Sequence, residues 1–266
     1  MRSSILSVPV QRFGRTPNAE QQDLLAVEEP LQIRIGEHDI SITMRTPGHD
    51  AELAAGFLFT EGIIREAADI ERIDCADNVA TVRLAPGLNI DKEKLRRNFY
   101  MTSSCGVCGK ASIESLEASG CTMVPRGVPV LDELLIRSLP DRLRESQEVF
   151  DRTGGLHAAG LFRADGDLIV LREDVGRHNA VDKLVGRAFL DGQTPLSRNL
   201  LMVSGRASFE LVQKAVMAGI PILAAVGAPS SLAVKTALRF GMTLIGFLRD
   251  DRFNVYSGDS RIKTAA

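Results

Sequence analysis

Five alternating segments in the last quarter of the chain limit its fold more than any other part of the sequence. Residues 199–204, 220–226 and 242–247 are apolar runs of strand length, and residues 208–218 and 230–239 between them repeat apolar side chains at helical spacing. Gly241 closes the second of these helices. Strand, helix, strand, helix and strand within about fifty residues demand crossover connections. Right-handed crossovers of this kind predict a largely parallel sheet with helices packed on it.

The first part of the chain, to Pro47, reads as β structure. Residues 31–35 and 40–44 alternate apolar with polar, and Gly36-Glu37 supplies a turn between them. From His49, Leu53, Ala54, Phe57 and Leu58 recur at helical spacing as far as Gly62. Residues 70–75 and 80–84 are further strand-like runs, residues 92–98 a basic helical run and residues 110–118 a helix. Residues 131–147 form an amphipathic helical pattern that Pro140 is expected to interrupt. Ala164-Asp165-Gly166 predicts a hairpin between residues 157–162 and 167–171. The organisation is therefore an α/β chain with a smaller β-rich N-terminal part, residues 1–100, and an α/β part, residues 101–266.

Composition narrows the function classes. With 44% hydrophobic and 25% charged residues in 266, the chain has ordinary globular usage. A formal net charge of −2 argues against a general polyanion-binding surface, so nucleic acid is not an expected partner. No run approaches the roughly 18 apolar residues of a membrane span, and residues 1–11 lack the apolar core of a signal peptide, so no membrane association and a cytoplasmic location are expected. In that compartment Cys75, Cys105, Cys108 and Cys121 point to metal or redox chemistry rather than structural disulfides.

The loop Thr102-Ser103-Ser104-Cys105-Gly106-Val107-Cys108-Gly109-Lys110 carries the sharpest chemical signal. Its glycines relax the backbone, and Lys110 with a following helix N-terminus favours thiolate over thiol. Three readings compete with the plainer one of two small residues in a turn. Half a zinc site needs two more ligands, for which Cys121 and a histidine would have to serve, since no second CxxC or HxxxH pair exists. A zinc deaminase needs His-x-Glu upstream of Pro-Cys-x-x-Cys, whereas Ser104 precedes this cysteine and His49-Asp-Ala-Glu52 has the wrong spacing. A thiol pair for sulfur or electron transfer needs nothing further. Cys75, at the end of an apolar strand, reads as a packed small residue, and Cys121 as either.

Two further segments look like walls of a polar cleft. His157 follows Gly154-Gly155, and Glu173-Asp174-Val175-Gly176-Arg177-His178 leaves a strand and enters a helix, on which His178 and Asp182 are expected to meet at i,i+4. At the ends of the C-terminal strands, Ser204-Gly205-Arg206-Ala207-Ser208 and Gly227-Ala228-Pro229-Ser230-Ser231 each lead into a helix. Anions collect at such edges of open sheets, and Arg206, Arg249 and Arg252 add charge there, so a nucleotide or other phosphate ligand fits better than an apolar metabolite. Taken singly, each of these loops also reads as an ordinary capped connection.

Together these residues resemble the formate dehydrogenase accessory sulfurtransferase family, FdhD. The likeness spans residues 28–257 in ordered blocks. They are Thr46-Pro47, Gly56-Phe57-Leu58 and Glu61-Gly62-Ile63-Ile64, the CxxC loop, Thr153-Gly154 with His157-Ala158-Ala159, and the segment from Glu173 to His178. Ala180 with Asp182-Lys183, Arg206-Ala207-Ser208 with Glu210, and Gly246-Phe247 complete them. The resemblance implies a layered cytidine deaminase-like fold, a homodimer, and transfer of sulfane sulfur from a cysteine desulfurase to the molybdenum cofactor used by formate dehydrogenase. It implies that Cys105 carries the persulfide with Cys108 assisting. It also implies that the cofactor, Mo-bisPGD or molybdenum bis(molybdopterin guanine dinucleotide), is bound as substrate by Phe247, Leu248, Arg249, Asp250, Asp251 and Arg252. No tightly bound catalytic metal of the protein's own is expected. His157, Arg177 and His178 are expected as cleft residues beside the transfer path and, with Arg206, as further contacts to the cofactor. At Asp250-Asp251 some relatives have Pro-Gly, and two carboxylates there would either bind guanine N–H groups or repel phosphates. The alternative is a non-catalytic chaperone that binds the cofactor and uses CxxC as a redox or zinc clamp.

Overall fold

The structure, a computed structural model, describes residues 3–13, 20–88, 113–118 and 121–264. Its centre is a six-stranded sheet. In chain order the strands are β8 (His157–Phe162), β9 (Leu168–Asp174), β10 (Leu200–Val203), β11 (Ile222–Ala225), β12 (Thr243–Arg249) and β13 (Arg252–Ser257), and across the sheet they run β13-β12-β11-β10-β8-β9. Strands β10, β11 and β12 are parallel and joined by helices, as their alternation requires. The expectation of a largely parallel sheet holds only for these three. Two of five pairings are parallel, and the β8–β9 hairpin, the β8–β10 contact and the β12–β13 hairpin are antiparallel. The Asp165-Gly166 turn and the Asp250-Asp251 turn fold strands back where a crossover would be needed for parallel pairing.

Both faces of the sheet are covered, so the central strands read as unbroken apolar runs. Leu201, Val203, Leu223, Ala225 and Leu244 enter the larger core, while Leu200, Met202, Ile222, Ala224 and Ile245 enter the smaller one, with the period of two that a strand imposes. Helix α5 (Arg177–Leu190), α6 (Phe209–Met217) and α7 (Ser231–Phe240) contribute to the larger core, and a short α2 (Ile113–Ala118) adds Leu116 to it. Ser230 caps α7 by accepting from the Ala233 amide at 3.2 Å, and Gly241 ends it at φ +70°. The smaller core is closed by α3 (Glu133–Glu145), whose N-cap Asp132 accepts from the Leu134 amide at 2.8 Å. Pro140 lies inside α3 and does not interrupt it. Ile136, Leu139 and Leu143 are buried on both sides of the proline, and that continuous apolar contact outweighs the missing hydrogen bond. Beyond it lie α4 (Glu148–Thr153) and two short strands, β7 (Leu131–Asp132) and β14 (Ile262–Lys263).

The N-terminal part is β-rich as its alternation predicts. Strands β1 (Ile5–Gln11) and β2 (Glu20–Ala26) form a ribbon. Strands β3 (Glu29–Ile35), β4 (His38–Arg45), β5 (Ile70–Ala76) and β6 (Val79–Leu84) form a sheet in the order β4-β3-β6-β5. Helix α1 (Asp50–Thr60) connects this sheet to the rest, because its buried residues share the larger core with α5. The boundary placed at residue 100, like the basic run 92–98, lies outside the described residues. Among the described residues no helix is long and apolar enough to cross a membrane.

Two glycines set the α1–α5 crossing. A Cβ on Gly56 would stand 1.8 Å from the Asp182 carbonyl oxygen, and one on Gly186 would stand 1.8 Å from the Glu52 carbonyl oxygen. Backbone meets backbone at both points, so no side chain can rotate aside. Gly186→Ala is therefore expected to cost about 3 kcal/mol by overpacking, read as a lowered urea midpoint with an unchanged slope. A midpoint equal to the parent's would show that the helices part without penalty.

Candidate functional site

The carboxyl ends of β10, β11 and β12 meet along one edge, and the loops that leave them are zipped together. The Gly227 amide donates to the Gly205 carbonyl at 2.9 Å, the Phe247 amide donates to the Gly227 carbonyl at 3.1 Å, and the Ser230 amide donates to the Ala207 carbonyl at 3.0 Å. Small residues make this possible: a Cβ on Gly227 would lie 2.9 Å from Arg206 Cγ, and one on Gly246 would lie 2.8 Å from Pro229 Cδ. At the end of the row Phe247 interrupts the β12–β13 register, holds φ at 52° and leaves 40% of its surface exposed. A bulky residue in left-handed backbone with an exposed ring is the kind of strain that surrounds binding sites. Leu248 turns the other way and is wholly buried in the smaller core, so only its backbone faces the edge. Arg249 and Arg252 are paired across the turn formed by Asp250 and Asp251.

The row continues onto β8 and β9. His157 opens β8 opposite Asp174, and its ring lies close to Gly205, where an added Cβ would be 3.3 Å from Nδ1. Arg177 and His178 start α5 at the same edge. The structure thus brings together His157, Arg177, His178, Arg206 and residues 247–252, which sequence reasoning had assigned to two separate features. His178 Nε2 sits 3.3 Å from Ser208 Oγ and 3.8 Å from Glu210 Oε2. Burial, then the charges of Lys214 and Arg177, push the His178 pKa down to about 4 against the pull of Glu210. Burial and then Arg177 also lower His157, with Asp174 opposing. Both imidazoles are therefore neutral at neutral pH.

Cation supply distinguishes this edge from its surroundings. A cavity of about 900 Å³ lies beside β9, between the β4–α1 and β5–β6 connections, but its basic residues are already committed. Arg45 grips Asp50 at 2.9 and 3.0 Å, Arg172 grips Glu52 at 2.6 and 2.8 Å, and Lys183 meets Asp174 at 2.6 Å. Among the described residues, no carboxylate lies within ion-pair distance of Arg177, Arg206, Arg249 or Arg252. Arg177 Nε is buried and finds no acceptor among them. Four uncommitted guanidinium groups on one edge suit a phosphate ligand.

The expected meeting of His178 and Asp182 does not occur. Asp182 turns inward to accept from Thr60 Oγ1 at 2.8 Å and to pair with Lys214 Nζ at 2.9 Å, because a buried lysine attracts a carboxylate far more than a neutral imidazole does. The carboxylates expected in the cleft are likewise structural. Glu173 caps α4, accepting from the amides of Val149 and Phe150 at 3.0 and 2.8 Å. Sequence alone carries no signal for this cap, because Glu173 lies 24 residues from Val149 along the chain.

The loop bearing Cys105 and Cys108 lies outside the described residues. Of the other two cysteines, Cys75 is an exposed residue whose sulfur loses hydration, and that loss, with Asp50 and Asp74, pushes its pKa up to about 11. Burial alone pushes Cys121 up to about 11. Both stay protonated at neutral pH and are poor nucleophiles. Among the described residues no group of three or more His, Cys, Asp or Glu side chains is gathered to hold a metal ion.

The model of the FdhD/NarQ family matches residues 26–263. A protein from Streptomyces avermitilis named sulfur carrier protein FdhD is 56% identical over 255 residues, covering 92% of this chain and 90% of its own. A protein of the same name from Sulfolobus acidocaldarius is 45% identical over 259 residues, covering 97% and 98%. A crystal structure from Desulfotalea psychrophila, described as a candidate formate dehydrogenase accessory protein, superposes with a TM-score of 0.78 at 28% identity, over 98% of this chain and all of the other. The chain belongs to the FdhD/NarQ family.

Proposed function

We propose that this protein is a sulfur carrier that takes sulfane sulfur from a cysteine desulfurase onto Cys105 and hands it to a molybdenum cofactor, Mo-bisPGD, destined for formate dehydrogenase. In the loading step the Cys105 thiolate attacks the terminal sulfur of the donor persulfide. A new S–S bond forms at Cys105, the donor's S–S bond breaks, and the donor cysteine leaves as thiolate, so no external oxidant is needed. Cys108, two residues beyond Gly106, assists. The named relatives support the sulfur-carrying role, and the high pKa of Cys75 and Cys121 supports the CxxC loop as its seat. Family kinship likewise supports the homodimer, the cytosolic setting and a cytidine deaminase-like scaffold.

The observation that carries the cofactor site is the strand-end edge with four uncommitted arginines and an exposed, strained Phe247. An aromatic ring stacks on a planar base while guanidinium groups hold phosphates, which is what a guanine dinucleotide presents. Guanosine diphosphate titrated into the protein tests this. Arg252→Ala is expected to weaken binding by about 1–3 kcal/mol, and an unchanged affinity contradicts the assignment.

A further inference from the structure

The turn that delivers Arg177 and His178 to the edge hangs on one buried carboxylate. Asp174 is completely buried, and its two oxygens are divided between two tasks. Oδ1 accepts from the Gly176 amide at 2.8 Å and from Asn179 Nδ2 at 3.0 Å, which fixes the turn and the first coil of α5. Oδ2 accepts from the Thr46 amide at 3.1 Å and meets Lys183 Nζ at 2.6 Å, which ties that turn to the end of β4 and to the middle of α5. Thr46 returns the contact twice: its Oγ1 accepts from the Val175 amide at 3.2 Å, and its carbonyl accepts from Lys183 Nζ at 2.8 Å. Both amides of the turn before Arg177, those of Val175 and Gly176, are thus spoken for, while Arg177 and His178 follow at the strand-end edge.

We propose that Asp174, neutralised by Lys183, is a positioning residue that sets Arg177 and His178 against the strand-end site. The proposal rests on the site reading given above and concerns residues that touch no ligand themselves. A carboxylate is required because an asparagine offers one accepting oxygen where four donors converge, and turns an NH2 group towards two of them. Lys183 is required because an unpaired buried carboxylate would be strongly penalised. The pair therefore contributes orientation more than stability.

His178 reports that orientation. The groups facing it are Lys214 and Glu210 from α6, Ser208 at the start of α6, Arg177 from its own helix and His157 from β8. The test compares the parent with Asp174→Asn/Lys183→Met, which removes both charges together and leaves no uncompensated ion. The His178 Hε1 resonance is titrated by NMR, and guanosine diphosphate affinity is measured on the same samples with Arg252→Ala as control. The expected result is a titration midpoint that moves up from about 4 towards the ordinary histidine range, as Arg177 withdraws and the ring gains water, with nucleotide affinity falling at least about fivefold. A midpoint that stays at the parent value overturns the assignment. So does an unchanged nucleotide affinity in this variant when Arg252→Ala weakens it. If Arg252→Ala itself leaves affinity unchanged, the strand-end reading fails, and the His178 midpoint alone decides whether Asp174 positions the turn. Should the double variant not fold, Thr46→Val removes only the hydroxyl that accepts from Val175. It is expected to shift the midpoint in the same direction, and a midpoint at the parent value there overturns the proposal.

Discussion

Cys105→Ala is expected to abolish sulfur transfer from a cysteine desulfurase, reducing it to the level seen without the protein. Sulfane transfer needs a thiolate, and the two cysteines whose surroundings are described are held near pKa 11, where only about one molecule in ten thousand is ionised at pH 7. Neither can substitute. In the sequence Cys105 stands between Ser104 and Gly106, with Gly109 and Lys110 following, and residues 102–110 include no Asp or Glu. Cys108→Ala is the internal comparison: an assisting thiol leaves a measurable residue of transfer, and an essential one leaves none. Thermal unfolding of both variants controls for folding. Formate dehydrogenase activity at the parental level in cells carrying only Cys105→Ala would sink the assignment.

Lys214→Met should destabilise the protein by about 3–5 kcal/mol, because it strands the Asp182 carboxylate in the interior. The two side chains are 6% and 3% exposed, and Lys214 Nζ also donates to Thr60 Oγ1 at 3.1 Å. Burial raises the Asp182 pKa and Lys214 opposes that rise, so removing the lysine raises it further. A carboxyl whose folded pKa lies above its unfolded value is least harmful when protonated, and its penalty grows as pH rises through the folded pKa. The deficit of Lys214→Met is therefore expected to be largest above neutrality and to shrink on acidification to pH 5. Adding Asp182→Leu should recover most of the loss, since Thr60 Oγ1 keeps an acceptor in the Phe57 carbonyl at 3.3 Å. Urea unfolding at the two pH values measures this, and a deficit that grows on acidification would contradict it.

Much of the fold was legible because it follows from periodicity. The apolar runs at residues 199–204, 220–226 and 242–247 became β10, β11 and β12 with α6 and α7 between them, and the alternation at residues 31–44 became β3 and β4. What periodicity could not show was which neighbours a strand would choose. β8 lies antiparallel beside β10, and that pairing, with the β8–β9 and β12–β13 hairpins, makes the sheet mixed. Pro140 was misleading for a related reason: local propensity is weak beside three buried leucine and isoleucine contacts.

The site was legible in composition and illegible in partnership. Arg206, Arg249 and Arg252 could be placed on one edge from strand ends alone, and the resemblance supplied Phe247. The carboxylates of this stretch read as cleft groups, yet Glu173, Asp174 and Asp182 each found a donor that no local pattern announces: helix amides for Glu173, Lys183 for Asp174 and Lys214 for Asp182. The charged groups left over after these pairings, and not the charged groups as such, mark the site.

The central claim is that Cys105 carries sulfur as a persulfide, and peptide mass spectrometry tests it most directly. The protein is incubated with a cysteine desulfurase and cysteine, digested without reductant, and the peptide containing Cys105 and Cys108 is weighed. A gain of about 32 Da on that peptide, lost on reduction and absent from Cys105→Ala, is the predicted result. A peptide of unchanged mass under conditions where the desulfurase itself is loaded would contradict it.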